Sequence, residues 1–321
     1  MSISEHSWLD VIPPKPGYFS RIGFYLAQMY PVPRHLALAA LTYFGVVTFL
    51  ARIHGVTTFT TPFYSLVGVG SLFSLMLIIR LMDELKDKEI DRELFPHRPL
   101  PAGRIFETDI RATIAVLSLL YLLANLMAGS VFRIALFVLG YAWLMFRHFF
   151  IPDILRKNLL LTVATHNPLF ALMLLYVLAL FFSAAPVPLE KIDLQAGLLL
   201  IVMNWATVLS WEIARKIRCQ EDETTYVTYS QIFGRPGAVL IAAGAQTVTF
   251  IIGLYFARTL SLSPLFVALW LAAYAVPVAA YARFLLNPTP ATAKLRRYAE
   301  AYMLAVPGIQ ALDHIVFALN G

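Results

Sequence analysis

Cysteine and charge are both scarce in this chain. Its one cysteine, Cys219, excludes an intramolecular disulfide and leaves the redox compartment undefined. Only 14% of the residues are charged, 59% are hydrophobic and the mean hydropathy is +0.71, which excludes a soluble globular domain. Residues 1–18 lack a continuous apolar run, so no cleavable signal peptide is expected. This composition predicts a polytopic membrane protein.

Long apolar runs fill most of the remaining sequence. Roughly 20 apolar residues are needed to cross a bilayer as a helix. Nine such runs lie at about 35–53, 60–82, 108–128, 131–150, 159–183, 195–212, 236–257, 263–285 and 299–318. They predict an all-α fold with nine transmembrane helices, in one domain at 35–321. Residues 1–34, which include a modestly amphipathic piece at 19–30, form a cytoplasmic segment that is either an interfacial helix or a disordered tail.

Positive charge is distributed unevenly between the two ends of these predicted helices. With the N-terminus in the cytoplasm, all but four of the 25 Lys and Arg residues lie on the cytoplasmic side. The net charge of +6 therefore indicates membrane orientation, and nucleic acid is not an expected partner. We expect an integral protein of a bacterial inner membrane, with its C-terminus on the side opposite the cytoplasm.

The most informative stretch, residues 80–104, follows the second apolar run and reads RLMDELKDKEIDRELFPHRPLPAGR. Asp83, Asp87 and Asp91 recur every four residues, so on one helix they advance only about 40° per step and share a face. A helix C-terminus disfavours negative charge, so a cation must compensate these carboxylates. Mg²⁺ suits them, because it usually binds one or two carboxylates plus substrate phosphates. The prolines that follow end the helix and hold Arg98 in a stiff loop beside the acidic face.

This stretch resembles the compound motif of the UbiA superfamily of intramembrane aromatic prenyltransferases, N-D-x-x-D-x-x-x-D followed by P-x-R-P-x-P-x-G. The matching segments are DELKDKEID at 83–91 and PHRPLPAG at 96–103. Asp83 replaces the usual Asn and Glu84 the usual Asp, and both changes keep an oxygen ligand. The alternative is a solvated acidic turn between two helices.

A second acidic cluster follows the sixth apolar run, where the resemblance implies a D-x-x-x-D motif. Glu212 remains, but Arg215 and Lys216 stand near the expected aspartates, and an acidic run follows at 221–223. TYSQIFG at 228–234 resembles the family's T-x-P-x-x-x-G stretch without its proline. In one interpretation, Glu212 and the acidic run supply a second metal site while Arg215 and Lys216 touch phosphate oxygens directly. In another, the basic residues replace part of the metal's work, and we favour a mixture of the two. A solvated, salt-bridged loop is the third interpretation.

Two further positions are candidates for contact with substrate. THNP at 165–168 places polar groups inside the fifth apolar run, where they are costly unless they find partners or line a cavity. Pro168 predicts a kink there, so Asn167 either lines a pocket or joins two helices. Lys157, at the start of the same helix, could reach a diphosphate or simply mark the cytoplasmic side.

The resemblance implies Mg²⁺-dependent transfer of a prenyl group from a prenyl diphosphate to an aromatic or other lipophilic acceptor, in a helical bundle with a central cavity. Asp83, Asp87 and Asp91 would be the catalytic residues. The predicted metal ligands are Asp83, Glu84, Asp87, Asp91, Glu212 and Glu221. The predicted substrate-binding residues are Arg98, Lys157, Asn167, Arg215, Lys216 and Tyr229. A terpene cyclase of the same superfamily, and a non-catalytic binder or transporter of an anionic lipid, remain as alternatives.

Overall fold

The computed structural model describes residues 17–56, 61–185, 187–224 and 227–320, with side chains to residue 317. Across these ranges the regular structure is entirely helical. The α-helices are α1 (Tyr18–Met29), α2 (Val32–His54), α3 (Pro62–Lys86), α4 (Lys88–Leu94), α5 (Glu107–Met127), α6 (Phe132–Phe146), α7 (Pro152–Leu155), α8 (Leu159–His166), α9 (Pro168–Ala184), α10 (Leu194–Ala214), α11 (Tyr229–Thr259), α12 (Pro264–Leu286) and α13 (Arg296–Asn320). The all-α prediction is confirmed.

Eight helical segments of the described chain are long and apolar enough to cross a membrane. They are α2, α3, α5, α6 with the short turn before it, α8 with α9, α10, α11 and α12. Each corresponds to one predicted apolar run, so the polytopic membrane fold is confirmed. The ninth predicted run is also a helix, α13, but it is not among the eight, and it carries Arg296, Arg297, Glu300 and Asp313. Whether α13 crosses the membrane stays a prediction.

The described residues divide into two compact units, the first within 17–39 and 69–150 and the second within 40–68 and 151–320. In the first unit, α1 is fastened to α5 by side chains. Arg21 donates from Nε and Nη2 to the two oxygens of Asp109, each at 2.7 Å, and the Tyr18 and Thr113 hydroxyls lie 2.8 Å apart. Residues 18–29 are therefore a docked helix, and the disordered-tail alternative is wrong for them; residues 1–16 lie outside the described residues.

The outward face of α5 is apolar. Val116, Leu119, Leu120 and Leu123 follow one another at helical spacing, and each is about half exposed in the isolated chain. Residues that are both apolar and exposed on a membrane-spanning helix face lipid. This side of the first unit is consequently a lipid-facing surface.

The second unit is built on close helix contacts. Gly253 of α11 lies against the indole of Trp270 of α12, and a methyl group at Gly45 of α2 would meet the backbone of Pro307 of α13 at 2.5 Å. Small residues at such crossings let helices approach closely in a membrane, where apolar burial alone does not drive association. These glycines are therefore packing positions.

Candidate active site

The helix that carries the aspartates breaks at the central one. α3 ends at Lys86 and α4 begins at Lys88, while Asp87 between them has φ −99° and ψ 8°. The hydrogen bonds from Asp87 N to Asp83 O (2.9 Å) and from Asp91 N to Asp87 O (2.8 Å) nevertheless keep helical spacing across the break. The prediction of one uninterrupted helix is wrong here, because residues 86–89 are all charged and provide no apolar side chain to pack the turn against a neighbour.

The proline loop turns back towards α4. Arg98 N donates to Phe95 O at 3.0 Å, and Arg104 N donates to Pro99 O at 2.9 Å. Gly103 has φ +68°, a conformation that favours glycine, and it lets the loop leave towards α5. Arg98 donates from Nη1 to both oxygens of Asp91 at 2.6 Å, and its guanidinium lies 4.1 Å from the centre of the Phe95 ring. The loop thus places Arg98 beside the acidic segment, as its prolines predict.

The remaining carboxylates of the first acidic segment differ in how their charge is compensated. Asp83 pairs with Lys86 at 2.9 Å. Glu84 is buried and pairs with Arg80, leaving its Oε2 without a hydrogen-bond partner. Within the described part of the chain, Asp87 has no ion-pair partner. Burial is the main reason that the pKa of Asp87 is raised; Lys86 opposes this shift and Asp83 adds to it.

These contacts decide how a metal would fit. In the described residues, no group of three or more His, Cys, Asp or Glu side chains is arranged to hold a metal ion, so Asp83, Asp87 and Asp91 do not form a ready-made three-carboxylate site. Asp87 is uncompensated and Glu84 Oε2 is unpaired, and both are the hard oxygen ligands that Mg²⁺ prefers. Because Mg²⁺ needs only one or two carboxylates when phosphates supply the rest, the residues fit an ion that arrives with a diphosphate.

Two basic residues surround Glu212 at the end of α10. Arg215 donates from Nε to Glu212 Oε2 at 2.6 Å and from Nη2 to Oε1 at 2.9 Å. Lys216 Nζ lies 3.3 Å from Glu212 Oε1 and 5.7 Å from the centre of the buried Tyr229 ring. Both oxygens of Glu212 are therefore in contact with cations, and four of the predicted site residues meet at this point: Glu212, Arg215, Lys216 and Tyr229.

The acidic run after α10 does not form a joint site. Glu223 accepts hydrogen bonds from the hydroxyls of Thr228, at 2.8 and 3.0 Å, and Ser230, at 2.6 Å. Thr228 also caps α11, in a reciprocal pair with Gln231. Glu223 thus fastens the loop to the start of α11, whereas Glu221 is exposed and makes no described contact with the other predicted ligands.

The two outlying candidates are separate from these clusters. The helix is broken at Asn167, between α8 and α9, as Pro168 predicts. Asn167 is buried, its carbonyl accepts a hydrogen bond from Trp205 Nε1 at 3.3 Å, and its Oδ1 has no partner among the described residues. Lys157 is exposed just before α8. No described contact joins either residue to another predicted site residue.

Sequence reasoning missed two residues next to the first acidic segment. Arg80 neutralises Glu84 from four residues earlier, a spacing that is readable on a helix. Tyr25 of α1 is fully buried, and its hydroxyl has no hydrogen-bond partner among the described residues. Its hydroxyl is close enough to Arg80 and Glu84 for their charges to influence its pKa. Burial raises the pKa of Tyr25, so this hydroxyl stays protonated. Nothing in the spacing of residues 19–30 marks it.

Comparison with family models finds no match for the chain, and neither does comparison with curated proteins. Two solved structures match. One, a digeranylgeranylglyceryl phosphate synthase in membranes, has a TM-score of 0.64 and 16% identity over 92% of this chain and 99% of its own. The other, an apo UbiA homolog from Aeropyrum pernix K1, has a TM-score of 0.62 and 16% identity over 89% of this chain and 98% of its own. The chain therefore shares the fold of these two proteins, one of them described as a UbiA homolog, as its motif at 83–103 predicts.

Proposed function

We propose that this protein transfers a prenyl group from a prenyl diphosphate to a lipophilic acceptor within the membrane, with Mg²⁺. The observation that carries the proposal is the uncompensated Asp87, which lies in the UbiA-like motif where α3 leaves its apolar run. Desolvation disfavours the charged form of the half-buried Asp87 carboxylate, which has no ion pair among the described residues, and a bound cation would supply its counterion. The likeness in fold to a digeranylgeranylglyceryl phosphate synthase supports the same class of reaction.

In this proposal, the acidic segment binds the diphosphate end of the substrate through Mg²⁺. Asp87 would hold the ion together with one further carboxylate, either Asp83 or the unpaired oxygen of Glu84. When bound, Mg²⁺ withdraws charge from the leaving diphosphate. Arg98 holds Asp91 and the proline loop in place, so the segment is preorganised before substrate arrives. The prenyl chain needs no polar partner, since hydrocarbon surrounds the membrane-spanning helices.

The second cluster is proposed to bind phosphate oxygens by charge. Both oxygens of Glu212 already contact cations, Arg215 and Lys216, so this carboxylate is a poor ligand for a second metal ion. Arginine and lysine side chains can instead neutralise phosphate oxygens directly. These contacts support the interpretation in which basic residues replace part of the work of a metal.

A single assay separates prenyl transfer from the two alternatives. Purified protein is incubated with Mg²⁺ and prenyl diphosphates of several chain lengths, with and without a panel of aromatic and lipid acceptors, and products are identified by mass spectrometry. Prenyl transfer requires a prenylated acceptor and diphosphate release that depends on both acceptor and Mg²⁺. A cyclic hydrocarbon or alcohol formed without acceptor would identify a cyclase. Substrate binding with no diphosphate release under any condition would identify a binder or transporter.

A further inference from the structure

A second charged feature lies beside the proline loop and plays no part in the proposed reaction. It is an open pocket of about 200 Å³, smaller than the roughly 300 Å³ at the lower end of drug-sized ligand sites. Its lining includes Lys88 and Arg92 of α4, Leu100 and Gly103 of the loop, and Phe106 and Glu107 at the start of α5. We call it the α4–α5 pocket. Its size suits a small polar headgroup.

The pocket lies on a different side of α4 from the aspartates. Lys88 and Arg92 each follow an aspartate by one residue, which on a helix turns the side chain by about 100°. They are four residues apart and so share a face with each other. The basic face of α4 is therefore distinct from the face that carries Asp87 and Asp91.

One of the two cations in the pocket remains available. Lys88 Nζ pairs with Glu107 Oε1 at 2.9 Å, and Glu107 also contacts Arg111 at 3.5 Å. Arg92 is exposed and has no hydrogen bond or ion pair within the part of the chain that the structure describes. The charges lining the pocket sum to one positive charge, carried by this guanidinium. A guanidinium fork matches phosphate oxygens in geometry and in charge.

The surroundings of the pocket are those of a membrane surface. Phe106, at its edge, is 42% exposed, and α5 begins at the next residue. α5 is a candidate membrane span whose outer face carries the half-exposed Val116, Leu120 and Leu123. A basic group at the polar end of such a helix lies at headgroup depth, and an aromatic ring is typical of that interface. A free phosphate ion would make no use of this apolar surface.

We propose that the α4–α5 pocket binds the phosphate of an anionic phospholipid, whose acyl chains lie along the outer face of α5. Arg92 contacts the phosphate, Lys88 adds to the positive potential, and Phe106 packs on the glycerol and upper chain. The proposal does not depend on prenyl transfer, because its ligand is a membrane lipid and its site excludes the aspartates.

The test measures lipid binding on the full-length, delipidated protein by native mass spectrometry. Dioctanoyl phosphatidylglycerol is titrated against wild type, Arg92→Gln and, as the matched control, Arg156→Gln, which removes an exposed arginine that does not line the pocket. We expect Arg92→Gln to weaken phosphatidylglycerol binding about fivefold, the effect of one basic residue at a lipid surface, and Arg156→Gln to leave it within about twofold. Dioctanoyl phosphatidylcholine, whose choline cation offsets the charge of its phosphate, should bind wild type more weakly than phosphatidylglycerol and lose less affinity in Arg92→Gln.

Three outcomes would overturn the proposal. Equal phosphatidylglycerol binding by wild type and Arg92→Gln would show that the Arg92 guanidinium does not contact the lipid. Equal losses in the two arginine variants would indicate a general charge effect. Displacement of the lipid by inorganic phosphate at millimolar concentration would identify a free-anion site. Phe106→Ala gives an independent check that keeps every charge, and it should weaken phosphatidylglycerol binding because it removes the ring that packs on the glycerol and upper chain.

Discussion

Arg98 donates from one nitrogen to both carboxylate oxygens of Asp91 at 2.6 Å, and so ties the proline loop to α4. The Asp91 side chain is only 7% exposed and that of Arg98 28%, so the pair is largely screened from water. This contact makes Asp91 a structural partner of the loop as well as a candidate ligand. It also leaves Asp87 as the aspartate of the motif whose charge is uncompensated within the described residues.

Replacing Arg98 by Lys should loosen the loop. Lysine keeps the charge but loses the planar, delocalised guanidinium and its contact with the Phe95 ring, so we expect a loss of about 1–2 kcal/mol in stability. Thermal unfolding in detergent measures this as a lower Tm. Arg111→Lys is the control, because Arg111 is 62% exposed and its contact with Glu107 is long, at 3.5 Å. Equal Tm values for the two variants would contradict the structural role of Arg98.

Replacing Asp87 by Asn should abolish turnover without destabilising the protein. The loss of a metal ligand removes several kcal/mol of charge stabilisation, so diphosphate release should fall by at least about 100-fold. Stability should be nearly unchanged, because Asp87 is only half-buried and has no ion pair among the described residues to lose. Glu89→Gln, an exposed neighbour on α4, should behave as wild type. Wild-type turnover by Asp87→Asn would end the metal-site interpretation.

Replacing Lys216 by Gln should weaken substrate capture. An ionic hydrogen bond to a diphosphate contributes about 1.5–3 kcal/mol, so KM should rise roughly tenfold to hundredfold. Arg215 still holds both oxygens of Glu212, so the fold of the α10 end should survive. Lys294→Gln removes an exposed lysine of the same charge and serves as the control. If Lys216→Gln has unchanged kinetics and Glu221→Gln is inactive, the acidic run at 221–223, and not the Glu212 cluster, is the second substrate-binding motif.

Replacing Gly253 by Ala should destabilise the second unit. The new methyl group would overlap the indole of Trp270, which cannot move freely because its Nε1 donates to Phe250 O at 3.1 Å. Overpacking of this kind costs about 1–3 kcal/mol. Gly244→Ala lies in the same helix with open space around it, and it should be neutral or stabilising by about 0.5–1 kcal/mol. The order of the two Tm values checks the α11–α12 contact.

A topology reporter fused after Gly321 should lie on the side of the membrane opposite the cytoplasm, and its activity should show this location. An odd number of spans requires this when the N-terminus is cytoplasmic, and the distribution of Lys and Arg favours nine. Activity restricted to the cytoplasm would show that α13 does not cross the membrane. Fusions after Ala184 and Asn287 locate the ends of earlier helices independently, since nine spans place the first outside and the second inside.

The sequence by itself determined the helices and the proline loop. Apolar runs of membrane length predict helices with few alternatives, because backbone polar groups in a bilayer must be satisfied within the segment. Pro168 likewise determined the break after α8, since proline lacks the N–H that the ladder needs. Asp83, Asp87 and Asp91 were recognisable as one constellation from spacing alone.

The partner of each acidic side chain depended on tertiary structure, both in the site and outside it. Asp313 looks isolated in sequence, yet its Oδ1 accepts a hydrogen bond from the Ser263 hydroxyl at 3.0 Å and its Oδ2 lies 3.8 Å from Arg52 Nε. Asp109 similarly accepts hydrogen bonds from Arg21, which lies 88 residues earlier in the sequence. Periodicity places a side chain on a face but does not say which cation packs against it. The same limit applies at Asp87. Lys86 pairs with Asp83 and Arg98 pairs with Asp91, so neither forms an ion pair with Asp87, and only the packed structure shows this.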